Sequence, residues 1–237
     1  MHAVGHYVQD VIRELYGCHV DVLHFGVDDV PRKRAWQDAG QKTVKFLTVG
    51  TYSWVKAQDL LAQAISLLSE EYRKRAEFIF CGNETMYDEA VYQEVKLLAD
   101  ASFNVTMFPA LSHSEVLALM EEASCLVVPS RIDPIPTVAV EMLMKENLCI
   151  CTDICGIAHY IRDGENGFVA PAGDVLALKN KIEYVIDQNQ CLDCVRKEGR
   201  RVYEQHFSWE AVEPQVLRLI GAYICEGKSR RKNVEEL

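Results

Sequence analysis

The sequence holds no apolar run approaching the roughly 20 residues that cross a bilayer as a helix, and "MHAVGHYVQDVIREL" lacks a basic region followed by a hydrophobic one. A soluble protein without a transmembrane segment, working in the cytoplasm or at the inner membrane face, is therefore expected. Positive charge is also scarce. With 25 Lys and Arg against 35 Asp and Glu, the net charge is -10, and a field of that sign repels polyanions. No general affinity for nucleic acid follows, and any phosphate ligand must meet local cations. Low-complexity tracts are missing too, while 49% of 237 residues are apolar, enough for a substantial core.

Cysteine, by contrast, is plentiful. Nine is an odd number, which suits reduced thiols better than a secreted disulfide frame. Cys149 and Cys151 alternate along "NLCICTD", so both fall on one strand face. Cys191 and Cys194 have no histidine pair at zinc spacing. The cysteines read as small buried hydrophobes, and no metal site is expected.

From residue 44 onward short β-rich runs alternate with helical patterns. "VKFLTVG" ends in Gly50, "AEFIFCG" in Gly82, "SCLVVPS" in Ser130 and "NLCICTD" in Asp153, with "NVTMFPA" before a helix whose Ser112 and Glu115 form a capping-box pattern. Helices are expected over 55–69, 87–100, 112–122 and 137–146. This order predicts an α/β fold, a doubly wound parallel sheet of Rossmann-like type, with a ligand crevice outside the carboxyl ends of the strands. After "GENGFVAPAGD" the chain turns helical over 174–189 and again to about 205, and Ser208 is placed to cap a last helix. Residues 1–40, with one helix and one strand-like run, "HVDVLHFG", form a leading segment that must pack onto the sheet or onto something else. Residues 41–207 make the sheet domain, and 208–237 a helix with a charged tail, "EGKSRRKNVEEL", expected to fray.

The stretch most suggestive of chemistry is "SRIDPIPTVAVEM", 130–142. It leaves a strand and enters a helix that Pro136 can begin, so the amides of Thr137 and Val138 face the crevice at the positive end of the helix dipole. Such amides bind phosphate. Glu141, a turn further on, can accept two hydroxyl hydrogen bonds, and Asp133 can bind a hydroxyl-bearing group on the other side. Lys56, after Gly50 and "TYSWV", and Arg131 can supply cations. The same residues also allow a plainer reading, with Asp133 capping a turn and Glu141 and Lys56 solvated.

Taken in order, "FLTVG", Lys56, "FIFCGNE", "MFPALSHSEV", "VVPSRIDPIPTVAVEM" and "ICGIAHYIRDGENGFVAPAGD", with "VLHFGVDD" at 22–29, resemble the C-terminal nucleotide-sugar-binding half of retaining GT-B glycosyltransferases of family 4, the glycosyl transferases group 1. The resemblance covers about residues 4 to 224. It implies a donor-binding domain that, with a facing N-terminal acceptor-binding domain, transfers a sugar from a UDP-sugar or GDP-sugar with retention, in polysaccharide biosynthesis. The chain alone is then an incomplete and inactive glycosyltransferase of hexosyltransferase type.

By that resemblance Glu141 binds the ribose, Asp133 approaches the transferred sugar, and Lys56 contacts the diphosphate beside Gly50 and Thr51. Residues 107–110, with Phe108, Pro109 and Ala110, line the base, and Gly82 belongs to the donor site. Arg131, Ile135, Thr137 and Val138 complete the donor site, and no cofactor or metal is implied; there is also no Asp-x-Asp metal clamp. The departures are Asp133 for a glutamate, Thr51 for an arginine, Pro136 for a small residue with an amide, Cys155 for a glycine and His159 for a glutamate. His159 therefore reads as packing. The sequence leaves two other functions open, a non-hydrolysing sugar-nucleotide epimerase and a non-catalytic nucleotide-binding module.

Overall fold

The computed structural model describes residues 2–32, 43–83 and 87–221. Its centre is a six-stranded parallel sheet of β3 (Val44–Val49), β4 (Ala76–Cys81), β5 (Val105–Phe108), β6 (Cys125–Val128), β7 (Leu148–Thr152) and β8 (Phe168–Ala170), in the order β5-β4-β3-β6-β7-β8. The central strands are apolar on both faces because helices cover both. Every residue of β6 and β7 is buried. On one face Phe46 and Phe78 stack at 5.1 Å and pack with Phe80, Leu61, Ile65, Val95 and Ile150. On the other, Leu47, Leu126, Val128, Met142, Cys149 and Cys151 form a second core. The alternation expected for Cys149 and Cys151 is therefore present, with Ile150 on the opposite face.

The helices are α2 (Gln58–Ser66), α3 (Glu70–Lys74), α4 (Glu89–Ala101), α5 (His113–Glu122), α6 (Thr137–Met144), α7 (Val175–Gln188) and α8 (Asp193–His206), with α9 over 209–221. Local signals set several starts. Ser112 and Glu115 close a reciprocal capping box on α5, Asp88 accepts from the Ala90 amide on α4, and Asp174 accepts from the Ala177 amide on α7.

Five expectations need correction. Cys191 and Cys194, read as buried small hydrophobes, are exposed around the start of α8, as is Cys18. The helix expected over 55–69 starts at Gln58, because Ala57 takes a left-handed conformation, φ 56°, that ends the preceding turn. Pro136 is the N-cap of α6, not its first helical residue, since its ψ of 111° is extended. "HVDVLHFG" is mostly not a strand. Only β2 (Asp21–Val22) pairs, in parallel with β1 (His2–Ala3), and α1 (His6–Tyr16) crosses between them. This βαβ unit stays outside the large sheet. Finally, β8 lies in the stretch expected to lead straight into helix, because three residues of "GFVAPAG" pair with β7.

The strand order reverses between β3 and β6. Loops leaving those two carboxyl ends must diverge and leave a crevice. Residues 50–57 and 129–136 are those loops. The charged tail 226–237 and most of the polar stretch 27–42, namely 33–42, lie outside the described residues.

Candidate active site

The crevice is built from its floor upward. Gly50 leaves β3 with φ 151°, a conformation L side chains rarely adopt. At the end of β4 a Cβ on Gly82 would stand 2.4 Å from the Gly50 carbonyl, so only glycine lets the two strand ends approach. The Gly82 amide donates to the Phe108 carbonyl at 3.3 Å, joining a third strand end. The buried Gln58 side chain donates to the carbonyls of Gly50 and Thr51, both at 3.1 Å, and fixes the loop that carries Lys56.

Lys56 crosses the crevice and donates to Asp133 Oδ2 at 2.7 Å. Asp133 is only 4% exposed. Its backbone carbonyl accepts from the Gly156 amide at 2.8 Å, and a Cβ on Gly156 would stand 1.6 Å from the Pro134 carbonyl. Glycine at 156 thus permits the close approach that seats Asp133. Cys155 is buried next to it, and burial pushes its thiol up to about 11, so it is protonated at neutral pH.

Arg131 is turned away from the role of free cation. Its guanidinium makes a bidentate pair with Asp59 at 3.0 and 2.6 Å, donates to the Trp54 carbonyl at 2.8 Å and lies over the Trp54 ring. It ties the 50–57 loop to the 129–136 loop. Ile135 is also drawn away, since its side chain is buried in the core against Gly5. Thr137 and Val138 open α6, where amides have no acceptor inside the helix. Glu141, a turn later, is bonded to His113 Nε2 at 2.7 Å. Phe108 is partly buried at the end of β5, and Pro109 and Ala110 are exposed beyond it.

Lys56, Asp133, the start of α6, Gly50 and Thr51 therefore meet at the β3/β6 switch point, with Gly82 and Phe108 at the neighbouring strand ends. Gln58, Asp59 and His113 were missed by sequence reasoning. Nothing local marks Gln58 or Asp59, and no sequence signal couples His113 to a glutamate 28 positions away. His159, an exposed residue, makes a ring contact with His6 at 3.9 Å.

A buried carboxylate paired with a cation at a switch point, beside unpaired helix amides, is a place for an anionic, hydroxyl-rich ligand. The family model of glycosyl transferases group 1 matches residues 29–202. The chain belongs to that family. An uncharacterized glycosyltransferase of Methanocaldococcus jannaschii is 28% identical over 166 residues, covering 69% of this chain and 44% of that protein. Among solved structures, sucrose-phosphate synthase of Thermosynechococcus elongatus superposes with a TM-score of 0.81 at 19% identity, over 95% of this chain and 58% of that one. HepE of Anabaena, in complex with UDP-glucose, superposes with a TM-score of 0.79 at 17% identity, over 93% of this chain and 63% of that one. This group 1 family chain thus has the Rossmann-like α/β fold of GT-B glycosyltransferases and spans about half the length of the curated relatives it matches. Among its described residues no helix is long and apolar enough to cross a membrane.

Proposed function

We propose that this chain is the donor-binding half of a glycosyltransferase that takes a sugar from a nucleoside diphosphate sugar and transfers it with retention of configuration. The observation that carries the reading is the Lys56–Asp133 pair at the switch point. Lys56 keeps its ammonium group beside the start of α6, where a diphosphate would collect helix amides and a cation together. On donor binding Lys56 exchanges Asp133 for a phosphate oxygen, and Asp133 is released to accept a hydroxyl of the transferred sugar. Glu141 accepts the ribose hydroxyls, and the Gly82 and Phe108–Ala110 strand ends border the base. Leaving-group charge is then stabilised by Lys56 and the Thr137 and Val138 amides, in place of a metal ion. Arg131 acts on loop position and not on the phosphates, because its guanidinium is held by Asp59.

The acceptor comes from a facing domain, so this chain binds donor without transferring it. UDP-glucose in the complex with HepE favours a uridine nucleotide over a guanosine one. Calorimetric titration with UDP, GDP, their sugars and the free nucleosides tests the reading. Diphosphates are expected to bind, and nucleosides more weakly by at least an order of magnitude, as expected for charge-assisted contacts worth about 1.5–3 kcal/mol. Equal binding of nucleoside and diphosphate would overturn it.

A further inference from the structure

Four of the chain's seven histidines gather at one place away from the crevice. His6 opens α1 and His24 follows β2, both in the leading βαβ unit. His159 and Tyr160 end the short 3-10 turn Gly156–Tyr160 of the sheet domain, and His206 is the last residue of α8. The rings form one continuous contact. His6 lies 3.9 Å from His159, His206 lies 4.7 Å from Tyr160, and His24 meets Tyr160 edge-on at 5.3 Å and Phe207 at 4.9 Å.

Hydrogen bonding fixes the tautomer of one ring when it is neutral. His24 Nδ1 lies 3.0 Å from the Val4 carbonyl, which can only accept, so Nδ1 carries a proton. His24 Nε2 lies 2.5 Å from the Tyr160 hydroxyl, which is already held in an aromatic cluster. The arrangement that satisfies both contacts is Nε2 accepting the Tyr160 proton. A second proton on His24 would reverse this bond, with Nε2 donating to the Tyr160 oxygen, and would place a charge among three other histidine rings.

We propose that this cluster is a proton-sensitive clasp: neutral His24, with His6, His159 and His206 around it, docks residues 2–24 on the sheet domain, and protonation releases them. The facing groups act in both directions, histidines against an added proton and carboxylates for it. From α1 come His6 and Asp10, from the 153–163 loop His159 with Asp153 and Asp163 across the cleft it shares with α1, and from α8 His206. Burial is the main cause that holds His24, His159 and His206 below their ordinary value, and the neighbouring histidines add to it; the Val4 hydrogen bond opposes it on His24 and Asp10 opposes it on His159, and both are outweighed. Rings released to water return to about 6.5. The released form therefore binds more protons, and docking is complete above that pH and weakens as pH falls through it. The clasp also reaches the crevice, because Gly156, three residues before His159, holds the Asp133 carbonyl.

Hydrogen exchange of the 237-residue chain, corrected for intrinsic pH dependence, reads the docking directly and does not depend on sugar transfer. Protection of the Leu23 amide, which donates to the Ala3 carbonyl, is expected to fall about tenfold between pH 7.5 and 5.5, one unit of linked proton uptake, while β3 and β6 stay protected. His24→Asn keeps a donor for Val4 but cannot titrate and should flatten this dependence. Should that variant not fold, His159→Gln with His206→Gln removes the like-charge partners and should flatten it in part. Protection independent of pH, a loss shared by the sheet, or His24 titrating at or above 6.5 by NMR would each overturn the clasp.

Discussion

At the scale of single residues, the crevice is a set of competing partners. Lys56 has two claimants, Asp133 and any phosphate, and its side chain is 36% exposed while that of Asp133 is 6% exposed. Lys56→Ala strands a buried carboxylate. The expected cost is about 1–3 kcal/mol in urea denaturation, below the 3–5 of a fully buried pair because the lysine is partly in water. The same change should weaken diphosphate binding strongly and nucleoside binding little, and added salt should weaken the unmodified chain more than the variant in calorimetry. Glu141 is already bonded to His113. Glu141→Gln is expected to weaken nucleotide binding by about 1–3 kcal/mol, with a smaller loss for 2′-deoxyribose nucleotides, since a charged acceptor is replaced by a neutral one. Unchanged calorimetric affinity would remove Glu141 from the site.

At the scale of elements, what matters is how loops from β3, β6 and β7 are locked to one another. Gly156 is the tightest point. Gly156→Ala puts a methyl group into the Pro134 carbonyl, so the backbone must move. A loss of about 2–4 kcal/mol is expected, the range of severe steric substitutions, seen as a lower thermal midpoint and a weaker affinity for sugar nucleotides. Arg131 joins the other two loops through Asp59. Asp59→Asn leaves one hydrogen bond and removes the charge pair. Its expected signature is faster exchange of the Arg131 amide, which donates to the Val55 carbonyl, with the central sheet unchanged.

At the scale of the whole molecule, the donor-half reading separates donor binding from transfer. All the strand ends that border the crevice belong to residues 44–152, so nucleotide binding should persist in this chain alone. Transfer to a mixed panel of sugar acceptors should be undetectable, because a GT-B acceptor pocket lies on a facing domain and a domain needs roughly 100 residues of its own. The leading βαβ unit holds β strands of two residues each, 2–3 and 21–22. On α9, Leu217 and Ile220 are at least half exposed among the described residues. Robust transfer by the 237-residue chain would sink the donor-half reading and force a complete active site onto these residues.

The sequence by itself determined most of the sheet's elements and their order. Strands buried on both faces must be continuously apolar, as "CLVV" and "LCICT" are, and caps such as Ser112 and Asp174 act within one turn, so both can be read locally. It also marked where chemistry is placed, because glycine at the end of a strand and an acid before a helix have local causes. Tertiary structure alone decided partnerships. Whether Arg131 faces a phosphate or Asp59, whether Ile135 lines a ligand or the core, and which glutamate His113 meets depend on residues far apart in the chain brought together by sheet order. The histidine cluster is the clearest case, since His6, His24, His159 and His206 share no spacing or motif and meet only because the leading unit packs against the end of α8 and the turn after β7.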